Sequence, residues 1–182
     1  MSGLQIDLAD IKSNKDAHTR FLKGQIESIK WIEGDPFSED SVVYNFSVAH
    51  KSTSFLKSNA PFESLKKFGL NRISNDTLRS YIVYLYDISY PNFKDTHEKY
   101  HKTLDEALNL GLVYFEDWSY EKNVNVMVPI DEENLRKDRR YLMKLKYLKK
   151  HSDLILLYNS QLEKQVDATI KLIEKTAKNK KA

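Results

Sequence analysis

The sequence predicts an all-α protein: a helical bundle whose long N- and C-terminal helices run antiparallel, with a small β-hairpin or an irregular loop at 112–129. Three observations carry this expectation. Gly 5 and Pro 4 in 182 residues leave little to interrupt helices or to build a many-turned β architecture. Apolar residues recur at spacings of three and four through most of the chain. Helix start and stop signals punctuate that pattern.

Leu4, Leu8, Ile11, Phe21, Leu22, Ile26, Ile29 and Ile32 predict one long helix to about Glu33, ended by Gly34-Asp35-Pro36. Asn14, His18 and Gly24 weaken the middle of its stripe. Ser38, followed by Glu39 and Asp40, opens a second helix, with acids where the macrodipole favours them. Val42, Phe46, Ala49 and Leu56 carry it to about Lys57. Asn59 caps a short third helix that has Pro61 in its first turn and Gly69 as its left-handed stop. Ser74 caps a fourth, with Leu78, Ile82, Leu85 and Ile88 on one face and a break at Pro91.

A fifth helix carries Phe93, His97, Tyr100, Leu104 and Ala107 on one stripe and closes at Gly111. The pattern then turns to period two, with Val124, Val126 and Val128 alternating with Asn125 and Met127. Asp131 caps the longest helix, which needs no break until about Lys178 and would be roughly 65–70 Å long at 1.5 Å per residue. Residues 1–182 read as a single domain. Residues 4–33 and 150–178 form a stalk-like, coiled-coil helix pair, which brings both chain ends to one pole.

Composition narrows the function classes. Hydrophobic residues at 41% supply a core, and charged residues at 30% supply its surface. The 29 basic and 26 acidic side chains are interspersed, so no strong field for nucleic acid arises. With no cysteine there is no disulfide, thiolate metal site or thiol nucleophile. The longest apolar run, Leu154 to Tyr158, is too short to span a bilayer. No secretory leader pattern precedes the first helix, and Met1-Ser2-Gly3 reads as a junction left when an upstream segment was removed.

One stretch carries a catalytic pattern. His97-Glu98-Lys99-Tyr100-His101 is H-E-x-x-H, whose histidines lie one helical turn apart and can share a zinc ion while Glu98 activates water. Glu106, Glu116 and Glu121 are the candidate third ligands. Against this, nothing before residue 97 reads as a strand to offer substrate a sheet edge. Lys99 and Lys102 put cations beside the dication, and His97 sits on an apolar stripe where a hydrogen-bonded core histidine is the simpler account. We therefore expect no catalytic residue, no metal and no cofactor. The alternative reading is a small zinc-dependent hydrolase using His97, Glu98 and His101.

Other features read as structural. Tyrosines at helical spacing, such as Tyr81 with Leu85 and Tyr141 with Leu145, fit core packing better than base stacking. The basic stretch from Arg136 to Lys150 fits a solvated face paired with acidic neighbours better than a lipid or nucleic-acid surface. The lysines of 175–182 suit a frayed helix end.

The segment from Ala60 to Arg79, with Phe62-Glu63-Ser64-Leu65, Gly69, Ile73, Asn75, Leu78 and Arg79, resembles the signature of a family of bacterial proteins, mostly flavobacterial, with no assigned activity. Pro129, Asn134, Leu135, Asp138 and Leu142 ahead of a long helix are similar to a second part of it, and Leu4-Gln-Ile-Asp-Leu-Ala-Asp-Ile11 to a third. The resemblance implies a single-pass inner-membrane protein whose helical domain follows its anchor and faces the periplasm. The expected role is sensing, binding a protein partner or scaffolding, with homo-oligomerisation through the coiled pair and no nucleic acid.

Overall fold

A computed structural model describes residues 2–121 and 124–179. The chain is mostly helical, and its one sheet among the described residues is a two-stranded antiparallel hairpin. Helices α1 (Ser2–Glu33), α2 (Glu39–Ala49), α3 (Ala60–Phe68), α4 (Asp76–Tyr84) and α5 (Tyr90–Gly111) precede strands β1 (Phe115–Glu121) and β2 (Val124–Pro129); α6 (Glu132–Lys137) and α7 (Arg139–Asn179) follow. These elements form two compact units: unit 1 is Met1–Lys15, Ser54–Asp95 and Leu157–Ala182, and unit 2 is Asp16–Thr53 and Thr96–Leu156.

In unit 1 the start of α1 lies beside the end of α7. Leu4 and Ile173 line one pocket with Phe62 and Ile82, and Lys15 pairs with Glu163 at 2.9 Å, so the two helices run antiparallel. Phe62 stacks on Tyr86 at 4.2 Å between ring centroids, and Tyr86 meets Tyr90 edge-on, giving the core an aromatic spine. Gly69 ends α3 with φ 94, where an L side chain would be strained. Asn75, one residue beyond the expected Ser74, caps α4 by accepting from the Leu78 N–H at 2.9 Å.

The expected break at Pro91 does not occur. Residues Leu85–Ser89 form a π-helical turn, and α5 starts at Tyr90 with Pro91 in its first turn. A proline inside an α-helix lacks an N–H and its ring meets the carbonyl four residues back. The wider π turn moves those carbonyls away, so the helix passes through.

In unit 2, Gly34 ends α1 with φ 116. The core gathers Trp31, Phe46, Phe115, Tyr141 and Leu145. The Arg136 guanidinium lies 3.8 Å over the Trp31 ring and donates to the Trp31 carbonyl. Glu33 at the end of α1 pairs with Lys146 of α7. The basic stretch finds acidic partners: Lys137 with Glu133, Arg140 with Asp138, Lys144 with Glu106 and Lys149 with Asp153.

Three stretches correct or sharpen the sequence expectations. First, α2 ends at Ala49, not near Lys57, and Leu56 is exposed. Second, of the hairpin and the irregular loop that the period-two stretch allowed, the hairpin forms, with a register shift between Glu116 and Ser119; Met127 is buried and Val126 and Val128 are half-buried. The Ser47 hydroxyl accepts from the Met127 N–H at 2.8 Å and ties β2 to α2. Third, the long C-terminal helix is interrupted at Asp138, which is extended (φ −76, ψ 95) and caps α7 by accepting from the Arg140 and Tyr141 N–H groups at 2.8 and 3.1 Å.

Asp138 also accepts from the Tyr114 hydroxyl at 2.8 Å. Asp138→Ala is therefore expected to destabilise the protein by about 1–2 kcal/mol. Asp131→Ala, which removes an exposed cap from the six-residue α6, should cost less. Urea unfolding of both variants measures the difference.

Candidate functional site

Helix α1 carries a polar stripe beside its apolar one: Asp7, Asp10, Asn14, His18 and Gln25, spaced three, four, four and seven. Such spacing puts them on one face. Their partners lie on residues 49–58, most of which have no regular secondary structure. A chain segment packed without a helix or sheet ladder must find its backbone partners among side chains or water.

In unit 1, the fully buried Asp7 accepts from the Ser58 N–H at 2.8 Å and from the Tyr90 hydroxyl at 2.7 Å. Asp10 accepts from the Leu56 N–H at 3.4 Å, Asn14 donates to the Ser54 carbonyl at 3.4 Å, and Tyr86 donates to the Ser58 carbonyl at 3.2 Å. Burial pushes the Asp7 carboxyl up from its ordinary value, against the opposing pull of those two hydrogen bonds. Burial likewise pushes Asp10 up, and Tyr86 up to about 12.

In unit 2, Gln25 donates to the Ala49 carbonyl at 3.1 Å, and the Tyr100 hydroxyl donates to the Lys51 carbonyl. Thr53 is held twice: His101 Nε2 donates to its carbonyl at 3.0 Å, and His18 Nε2 lies 3.2 Å from its hydroxyl. His97 completes a cluster of three imidazoles, its ring 5.3 Å from that of His18 and 6.3 Å from that of His101. Burial, then the neighbouring His97 and His101, pull His18 down to about 3. Burial and His101 pull His97 down to about 4, while a hydrogen bond to the Thr53 backbone works the other way. Both rings are neutral at pH 7.

This geometry bears directly on the zinc motif. A carbonyl oxygen only accepts, so the His101 nitrogen facing Thr53 carries a proton and has no lone pair for a metal. The His97 and His101 rings are tilted by 52°, and His97 is buried against His18 as well. Glu106 is paired with Lys144, Glu98 and Glu116 are exposed, and the Glu121 side chain lies outside the described residues. Among the described residues, no group of three or more His, Asp or Glu is arranged to hold a metal ion.

The structure thus brings His97 and His101 together with His18, which sequence reasoning treated only as a weak point in an apolar stripe. The missed signal was the second, polar stripe on α1, which repeats at helical spacing. No helix among the described residues is long and apolar enough to cross a membrane. Comparison with protein-family models, with curated proteins and with solved structures gives no match.

Proposed function

We propose that this chain is a non-catalytic helical module that binds a protein partner or serves as a scaffold, held in the longer protein at a bacterial inner membrane with the module facing the periplasm. The observation that carries the non-catalytic reading is the placement of His97 and His101: with His18 they surround Thr53, and His101 Nε2 donates to the Thr53 carbonyl, so that nitrogen offers a metal no lone pair. The anchor rests on the resemblance of Leu4–Ile11 and Ala60–Arg79 to single-pass proteins. It gains support from the placement of Leu4 beside Ile173, which suits a module hung from one end.

Two measurements test these parts separately. Metal analysis of protein purified without a nickel column should find far less than one zinc per chain, and His101→Gln, which keeps a donor for Thr53, should change no hydrolytic activity. Stoichiometric zinc lost in His97→Ala and His101→Ala together would replace this reading with the hydrolase. The full-length open reading frame, expressed and fractionated, should sediment with membranes and expose the module to protease from the periplasmic side. A freely soluble full-length product would remove the anchor.

A further inference from the structure

One groove in unit 1 joins an uncharged lining to exposed aromatic rings. It lies between α4 with its following π turn and the Tyr158–Thr169 stretch of α7, with space of about 430 Å³ beside Tyr81 and Tyr84. A second hollow continues it past Ile88 and Phe93. None of the lining residues carries a formal charge, although 30% of the chain is charged. The floor is apolar and closed: Leu85, Phe93 and Leu162 are each no more than 2% exposed. One wall is aromatic and open, with Tyr81 at 46% and Tyr84 at 54% exposed. Gln161 and Gln165, one helical turn apart, supply amides from the other wall. The π turn Leu85–Ser89 sits at the centre, a distortion that recurs at functional sites.

The lining selects by exclusion and by fit. A charged ligand would enter without a counter-charge, losing hydration that nothing here replaces. A hydrocarbon or an apolar peptide helix would cover glutamine amides and tyrosine hydroxyls without pairing them. A pyranose ring satisfies both walls: its C–H face lies on an aromatic ring, and its hydroxyls pair with amides that donate and accept. The volume also falls within the range of small-ligand sites, about 300–1,000 Å³. We propose that this groove binds an uncharged oligosaccharide, stacked on Tyr84 and hydrogen-bonded by Gln161 and Gln165. The assignment rests on the reading of the chain as a binding module.

The test is a ¹H–¹⁵N titration of the whole chain with maltotriose, cellotriose and uncharged chitotriose, and with an acidic trigalacturonate. At least one neutral sugar should give saturable shifts of the Gln161 and Gln165 side-chain amides with a Kd of about 1 mM. Tyr84→Ala should weaken it at least about tenfold, Tyr84→Phe should keep most of it, and both variants should melt like the parent because Tyr84 is exposed. The proposal fails if no neutral sugar gives saturable shifts, if the shifts map elsewhere, if Tyr84→Ala binds normally or if the acidic sugar binds as well. Zinc content is independent of this titration: a sugar-free groove in a zinc-free protein sinks this proposal alone, whereas stoichiometric zinc sinks the non-catalytic reading.

Discussion

Acidification from pH 7 to about 4 is expected to unfold this protein. Three buried imidazoles drive it. An unfolded histidine takes its proton near pH 6.5, whereas folded His18 does so only near 3, and His97 and His50 near 4. Between those limits the unfolded chain binds more protons, so stability falls as the pH falls. It is intact above about 6.5 and erodes steadily below.

The His50 site makes the cost concrete. Its Nδ1–H donates to the Phe46 carbonyl at 2.9 Å, so Nε2 accepts from the Tyr141 hydroxyl at 3.1 Å, all in a fully buried setting. A second proton would turn that acceptor into a donor with no charge nearby to offset it. The interval from 6.5 to about 4 corresponds to about 3 kcal/mol for this group alone, a large share of the roughly 5–15 kcal/mol that holds a domain together. Asp7 works the other way: its raised carboxyl gains stability as the pH falls through the window just above 3.8. Circular dichroism against pH should show a cooperative loss of helix centred between 4 and 6, and His50→Gln, which keeps an amide for Phe46, should move that midpoint to lower pH.

Gly24→Ala is expected to lower the melting temperature even though alanine is the better helix former. Glycine in mid-helix costs about 1 kcal/mol relative to alanine, so propensity alone predicts a gain. The space argues the opposite. A Cβ on Gly24 would stand 2.9 Å from the Ala49 nitrogen and 2.9 Å from the Asn45 oxygen, both backbone atoms of α2, and 3.2 Å from Val48 Cβ. Backbone cannot rotate aside, so α2 must move, and it carries Phe46 and His50 with it. Overpacking of this kind costs typically 1–3 kcal/mol, and the larger steric term wins. We expect a fall of about 5 °C for alanine and, for Gly24→Val, loss of most of the fold. Gly3→Ala is the control: its near neighbours are side-chain atoms, the Ser58 Oγ at 2.9 Å, the Ser58 Cβ at 3.3 Å and the Pro61 Cγ at 3.4 Å, and the melt should fall less than for Gly24→Ala.

The apolar skeleton was legible because helical periodicity survives without knowledge of partners. The boundaries of α1, the closure of α5 at Gly111, Gly69 as a stop and Asp131 as a cap are all local events. The misses are the places where distant groups decide. Residues 50–58 continue the helical pattern of α2, yet Asp7, Asn14, Tyr100 and His101 hydrogen-bond their backbone, which forms no helix there. No window of local sequence contains both halves of those bonds.

Asp138 was a different kind of miss. Its capping chemistry was visible, but the apolar stripe running through it argued for continuity, and the stripe does continue while the backbone breaks. For the site, the burial of His97 could be read from its stripe. The convergence of His18 could not, because nothing in the sequence says which face of α5 meets α1.

The central claim is that the imidazoles of the H-E-x-x-H stretch hold backbone in place and do not hold metal. Nuclear magnetic resonance of the histidine ring nitrogens, followed against pH and then with added zinc, tests it most directly. The account predicts that His18 and His97 stay neutral until the protein unfolds, that His101 shows a protonated Nε2, and that equimolar zinc at pH 7 leaves all three unshifted. Reversible titration of His97 near 6.5 in the folded protein, or a saturable zinc shift shared by His97 and His101, would contradict it.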